Sequence, residues 1–272
     1  MDIDSNAPIG IFDSGIGGLT VVKAVIEKLP HENIIYFGDT ARVPYGIKSD
    51  ETIRDYALQI TDFLLEKKVK AILIACNSVS AVANQEIREY CTTTPVLDVV
   101  EAGTSASLKI PGKSNRIGII GTLATVGSGT YEKSIHRYAP GKKIYSKACP
   151  LLVPLAEEGW VDNDVADLVL EKYLTDFKNK NMDALILGCT HYPLFKPNIE
   201  RFLEGSGTEV IDSALSITEM TKNLLTSKNL LNKQINMGRF ECYVSDKPQR
   251  FQILAERFLG KKLHRLEIVS LK

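Results

Sequence analysis

Two cysteines carry the chemistry that this sequence advertises. Lys70-Ala-Ile-Leu-Ile-Ala-Cys76-Asn77-Ser78 runs from a nearly unbroken apolar segment into a cysteine and two polar residues, and Asp183-Ala-Leu-Ile-Leu-Gly-Cys189-Thr190-His191 does the same. A short apolar run of this kind suits a strand buried on both faces. Each cysteine is therefore expected at a strand end, where a following helix N-terminus would favour the thiolate and lower the thiol pKa from about 8.5. Such a pair suits three chemistries. A redox disulfide needs the sulfurs within bonding distance. A zinc site could draw on Cys76, Cys189 and His191, although these donors lack the clustered spacing of common zinc motifs. Acid–base work on both faces of one carbon needs a base on one side and an acid on the other, which two thiols supply directly.

The groups that could tune the thiols lie nearby in sequence. Asp13 closes an apolar run in the same half as Cys76, where it could poise the thiol or cap a helix. His191 follows Cys189 by two residues, and Glu157 or Glu158 stands in a preceding loop. Cys91, Cys149 and Cys242 fit the ordinary role of small buried hydrophobes.

The elements that must hold these residues read as two related α/β halves. Ile9-Gly-Ile-Phe-Asp13-Ser14 is echoed by Ile117-Gly-Ile-Ile-Gly121-Thr122, and Pro95-Val-Leu-Asp98 by Glu209-Val-Ile-Asp212, in the same order and at nearly the same offset as the cysteines. Pseudo-symmetric packing would set Cys76 against Cys189 across a cleft. Strands are expected at 9–12, 32–38, 71–76, 96–100, 117–121 and 143–149, with helices at 19–29, from Ser49 to Lys67-Lys68, to Tyr90, and from Asp162 as N-cap to Lys178. The segment 101–114 reads as the crossing between halves, and the last 60 or so residues as helix, strand, helix, strand outside the repeat. Asp13-Ser-Gly-Ile-Gly-Gly18 lacks the third glycine of a dinucleotide fingerprint, because position 20 is Thr20. The polar loop Asp39-Thr-Ala-Arg42-Val-Pro44-Tyr45-Gly46 follows a strand, where open α/β sheets bind ligands.

Bulk properties narrow the class. The chain is 44% hydrophobic and 24% charged, as soluble globular proteins are, and its 33 basic and 33 acidic residues leave no net field to attract nucleic acid. No apolar stretch approaches the roughly 18 residues that span a bilayer. Five cysteines with no CxxC pair argue for reduced thiols, and with an N-terminus that lacks a basic-then-apolar pattern they lead to the expectation of a cytoplasmic protein.

Several ordered motifs together resemble the bacterial glutamate racemases. They are Ile11-Phe-Asp-Ser-Gly-Ile-Gly-Gly-Leu-Thr20, Gly38-Asp-Thr-Ala-Arg-Val-Pro-Tyr-Gly46, Ala75-Cys-Asn-Ser78, Ala148-Cys-Pro with Val153-Pro-Leu-Ala-Glu157, and Leu187-Gly-Cys-Thr-His-Tyr-Pro-Leu194. The resemblance implies a cofactor-independent, metal-free, two-base enzyme that interconverts L- and D-glutamate and supplies D-glutamate for peptidoglycan. It implies that Cys76 acts on the D enantiomer with help from Asp13, and Cys189 on the L enantiomer with help from His191 and Glu157. Asp13, Ser14, Pro44, Tyr45, Gly46, Asn77, Ser78, Thr190 and His191 would line the substrate. Two flavodoxin-like, doubly wound domains with mainly parallel sheets are implied, residues 1–100 with 210–272 forming the first and 101–209 the second, commonly in a homodimer. Ser78 departs from the usual threonine but keeps the hydroxyl. An aspartate racemase of the same superfamily and a non-catalytic amino-acid-binding protein are the alternatives, separated by substrate and by the effect of removing Cys76.

Overall fold

A computed structural model describes residues 4–111, 115–246 and 251–271. The first part alternates β1 (Ile9–Asp13), α1 (Leu19–Lys28), β2 (Ile34–Gly38), α2 (Asp50–Glu66), β3 (Ala71–Ile74), α3 (Asn77–Tyr90), β4 (Val96–Asp98) and α4 (Val99–Leu108). The middle holds β5 (Arg116–Gly121), α5 (Leu123–Gly127), α6 (Thr130–Tyr138), β6 (Lys143–Ala148), α7 (Leu152–Glu158), α8 (Asp164–Lys178), β7 (Ala184–Gly188), α9 (Lys196–Phe202) and β8 (Glu209–Asp212). The chain then adds α10 (Ser213–Ser227), β9 (Phe240–Val244), α11 (Phe251–Leu259) and β10 (Leu266–Ile268).

Two parallel sheets result. One has the order β10-β9-β2-β1-β3-β4 and the other β6-β5-β7-β8. The run β2-β1-β3-β4 repeats as β6-β5-β7-β8, so the sequence echo is a repeat of topology, and β9 and β10 extend the first sheet beyond β2. Strand pleating assigns the faces. Ile9 and Ile11 of β1 join the core on the α1 side, while Phe12 joins the one formed with α2 and α3. In the second sheet Ile117 and Ile119 pack toward Tyr131 and Ile135 of α6, and Ile120 shares a core with Leu170, Leu174 and Phe177 of α8. α10 packs against both α1 and α4, and α4 against β7, which joins the two layered units.

Several boundaries differ from the sequence expectation for local reasons. α2 begins after Ser49, whose hydroxyl accepts the Thr52 N–H at 3.3 Å, but it closes at Glu66, so the expected last-turn lysines lie beyond it and Lys68 takes a φ of 56°. The strand expected at 96–100 stops at Asp98, because that carboxylate accepts the N–H groups of Val100 and Glu101 and starts α4. The N-cap of α8 is Asn163 rather than Asp162. Part of the expected crossing, residues 112–114, lies outside the described residues.

Lys70, at the head of the Cys76 stretch, is fully buried in an ion pair with Glu32, and its ammonium also donates to the carbonyls of Ser5 (2.6 Å) and Leu230 (2.8 Å). The lysine therefore anchors the strand carrying Cys76 to both ends of the first sheet's chain. Burial pushes its pKa down, against the pull of Glu32. No helix among the described residues is long and apolar enough to cross a membrane.

Candidate active site

In each sheet the chain leaves the centre, returns, and so creates a switch point between neighbouring strands, at β1 and β3 in one and at β5 and β7 in the other. Ligands bind at the carboxyl ends of strands at such points. Asp13 and Ser14 end β1 beside Cys76 after β3, and Thr122 follows β5 beside Cys189 after β7. The two switch points line one cavity of about 440 Å³, a size that suits a small molecule. Asp13, Ser14, Pro44, Tyr45, Gly46, Cys76, Asn77, Ser78, Glu157, Cys189, Thr190 and His191 all line it.

The electrostatics of the two thiols differ. Cys76 immediately precedes α3, yet its pKa is pushed up to about 12, first by burial and then by the Asp13 carboxylate. The N–H of Val79 and the hydroxyl of Ser14, 3.6 Å from the sulfur, offset only part of this. The expectation that a helix N-terminus lowers the thiol pKa is thus overturned at Cys76, because desolvation and a like charge exceed the helix contribution. Cys189 faces a cation instead. His191 Nδ1 lies 3.8 Å from its sulfur, and Nε2 lies 3.2 Å from Glu157 Oε1. Burial opposes charge on His191, but the contacts with Cys189 and Glu157 prevail and raise its pKa to about 10. These two contacts therefore favour the charged imidazolium.

Asp13 is no helix cap: α1 starts after Gly18, and Asp13 Oδ2 accepts the Gly15 N–H at 3.1 Å. Its Oδ1 is buried with no hydrogen-bond partner among the described residues, and so is Nδ2 of Asn77. The other end of Asn77 is held by Tyr131, whose hydroxyl donates to Oδ1 at 2.8 Å. Tyr45 is buried, and its hydroxyl donates to Asp39, which also accepts from Arg42 Nε (2.6 Å) and Ser245 Oγ (2.7 Å). This carboxylate fixes the loop at the cavity rim and ties it to the end of β9.

All five cysteines are free thiols. Among the described residues no three His, Cys, Asp or Glu side chains are grouped to hold a metal ion, so the Cys76, Cys189 and His191 donor set is not assembled.

Residues 16–221 match the family model described as Asp/Glu/Hydantoin racemase. The chain belongs to that family. It is 50% identical to the glutamate racemase of Neisseria meningitidis serogroup A over 99% of both chains. Among solved structures, it is similar to the glutamate racemase of Francisella tularensis in complex with D-glutamate, at 45% identity and a TM-score of 0.91, covering 98% of this chain and 99% of that one. A glutamate racemase isoform from Bacillus anthracis superposes with a TM-score of 0.92 at 33% identity, covering 98% of each chain. The chain is thus an isomerase of the racemase family, and its two-sheet α/β fold is theirs.

Sequence reasoning missed part of this racemase cavity. Thr122, Leu123, Thr125, Pro150, Val153 and Pro154 also line it. Thr122 had a signal, because it occupies in the second half the place of Ser14 in the first. At the position of Asp13 the second half carries Gly121, so the repeat is broken where the acid–base groups differ. Leu123 and Thr125 belong to α5, a five-residue helix too short for periodicity to reveal.

Proposed function

We propose that this racemase interconverts L- and D-glutamate by a cofactor-independent, two-base mechanism in which Cys189 serves the L enantiomer and Cys76 the D enantiomer. The observation that carries the reading is one cavity lined by two thiols from different sheets, one beside Asp13 and the other beside His191 and Glu157. Full-length similarity to glutamate racemases supports glutamate as the substrate.

In the L-to-D direction Cys189, as thiolate, removes the proton from Cα. Its charge before the step is balanced by the His191 imidazolium, which Glu157 keeps protonated. The electron pair released from the C–H bond spreads into the α-carboxylate, where the free Asn77 amide and the hydroxyls of Ser14, Ser78 and Thr190 are available donors. Cys76, a thiol held neutral by burial, gives its proton to the opposite face and becomes the thiolate. Asp13 disfavours that charge, and the pair resets as solvent protonates the Cys76 thiolate and takes up the proton held by the Cys189 thiol. The D-to-L direction exchanges the roles.

We assign residues 1–100 with 210–272 to the domain that brings Cys76 and residues 101–209 to the one that brings Cys189. The enzyme is taken to act in the cytoplasm as a homodimer and to supply D-glutamate for peptidoglycan, as the family resemblance implies. Replacing either thiol, in Cys76→Ala or Cys189→Ala, abolishes racemisation in a chiral assay. Near-wild-type turnover in either variant contradicts the reading.

A further inference from the structure

We propose that Gly17, Thr20 and Phe258, which flank the first sheet, are positioning residues for His191 across the cleft, so that the Cys189 base assembles only when the two layered units are docked. The proposal rests on the two-thiol reading above.

Gly17 is required for space. A Cβ there would lie 2.2 Å from Thr190 Oγ1, 2.5 Å from His191 Nδ1 and 2.6 Å from its Cε1. Nδ1 is the atom that faces the Cys189 sulfur. Gly17 is not among the glycines with positive φ, so the close approach, and not backbone freedom, explains the residue. Thr20 Oγ1 lies 2.9 Å from the Gly17 carbonyl and 3.0 Å from that of Thr190, and so stitches the loop before α1 to the residue between Cys189 and His191. Phe258 of α11 meets the imidazole edge to face, with ring centroids 5.3 Å apart and an interplanar angle of 83°. Beside it, Arg257 Nη1 donates to the Glu157 carbonyl at 3.2 Å, which fixes the end of α7 that presents the carboxylate to His191.

The acid beside the other thiol is supplied differently. Asp13 and Ser14, its neighbours, come from β1 and its following loop in the same sheet as Cys76. Separation of the layered units would remove the contacts that position His191, while Asp13 and Ser14 would stay beside Cys76.

Isotope effects on kcat/KM, measured with α-deuterated L-glutamate and α-deuterated D-glutamate, test this in Thr20→Val, Thr20→Ser, Gly17→Ala and Cys189→Ser, each first checked for native circular dichroism. Enantiomers have equal free energy, so any variant slows both directions equally; the isotope effects show which proton transfer has become limiting. Thr20→Val is expected to lower kcat/KM about tenfold and Gly17→Ala about a hundredfold. In both, the isotope effect rises for the L substrate and falls for the D substrate, and Thr20→Ser restores the wild-type pattern. A folded Thr20→Val enzyme whose two isotope effects match the wild type, or change in the opposite sense, overturns the proposal. Cys189→Ser separates the two failures. If it shows the asymmetry while Thr20→Val does not, the clamp alone is wrong; if it shows none, the two-thiol reading falls and the clamp with it.

Discussion

His191 Nδ1 faces the Cys189 sulfur at 3.8 Å, while the corresponding partner of Cys76 is the carboxylate of Asp13. A cation beside one thiol and an anion beside the other make the two sulfurs unequal before any substrate arrives. Burial and the Asp13 carboxylate favour the neutral thiol at Cys76, the form that the proposed mechanism needs as proton donor when the L enantiomer binds.

The first expected consequence is unequal alkylation. With its pKa near 12, Cys76 presents almost no thiolate at neutral pH, so iodoacetamide modifies Cys189 first. Peptide mass spectrometry over a time course reads the order. Earlier modification of Cys76 contradicts the electrostatic assignment.

A second consequence concerns alkaline pH. The folded His191 pKa of about 10 lies above the ordinary 6.5, so the stabilisation from its charged form is complete below about 6.5 and is lost as pH rises through about 10. The Tm difference between the parent enzyme and His191→Gln shrinks over that window. A difference that grows with pH has the wrong sign for the account.

Glu157 accounts for part of that raised pKa, and the carboxylate hydrogen-bonded to His191 is Glu157. Glu157→Gln moves the alkaline limb of the kcat profile to lower pH and lowers the rate by about tenfold, the value of one charged hydrogen bond. Glu158→Gln leaves the limb where it is. Equal shifts in both variants would remove Glu157 from the relay.

Lys70 gives a stability test remote from the cavity. Lys70→Ala leaves Glu32 buried without its cation and costs about 3–5 kcal/mol, read as a lower urea midpoint. A change below about 1 kcal/mol contradicts the anchoring role.

The sequence made legible what depends on short, strongly patterned stretches. The runs ending at Cys76 and Cys189 read as buried strands because their apolar residues are continuous, and their echo reads as two related α/β halves, which share one strand order. Asp13, in a polar motif at a strand end, was legible for the same reason, while Asn77 and Thr190 were legible through the family resemblance. What was not legible depends on distances between segments remote in sequence. The residues alone left Glu157 and Glu158 open; the resemblance implied Glu157, and it is that carboxylate which α7 presents to His191. The raised Cys76 pKa comes from full desolvation, which outweighs the local helix signal. The need for glycine at 17 comes from the imidazole of His191, remote in sequence, which occupies the space a side chain there would fill. Tyr45 lines the cavity with its hydroxyl committed to Asp39, a pairing set by the tertiary fold of the loop.

The most direct test of two-thiol racemisation is early-time isotope incorporation, with L-glutamate supplied to the enzyme in deuterated water and the α-deuterium of product and recovered substrate measured separately. A thiol holds a single proton, so Cys189 returns to the L substrate only the proton it removed, while Cys76 supplies solvent deuterium to the D product. The account predicts deuterium in every D-glutamate formed and almost none in the remaining L-glutamate. Deuterium entering the recovered L substrate as fast as the product would mean that one base serves both faces, and would contradict it.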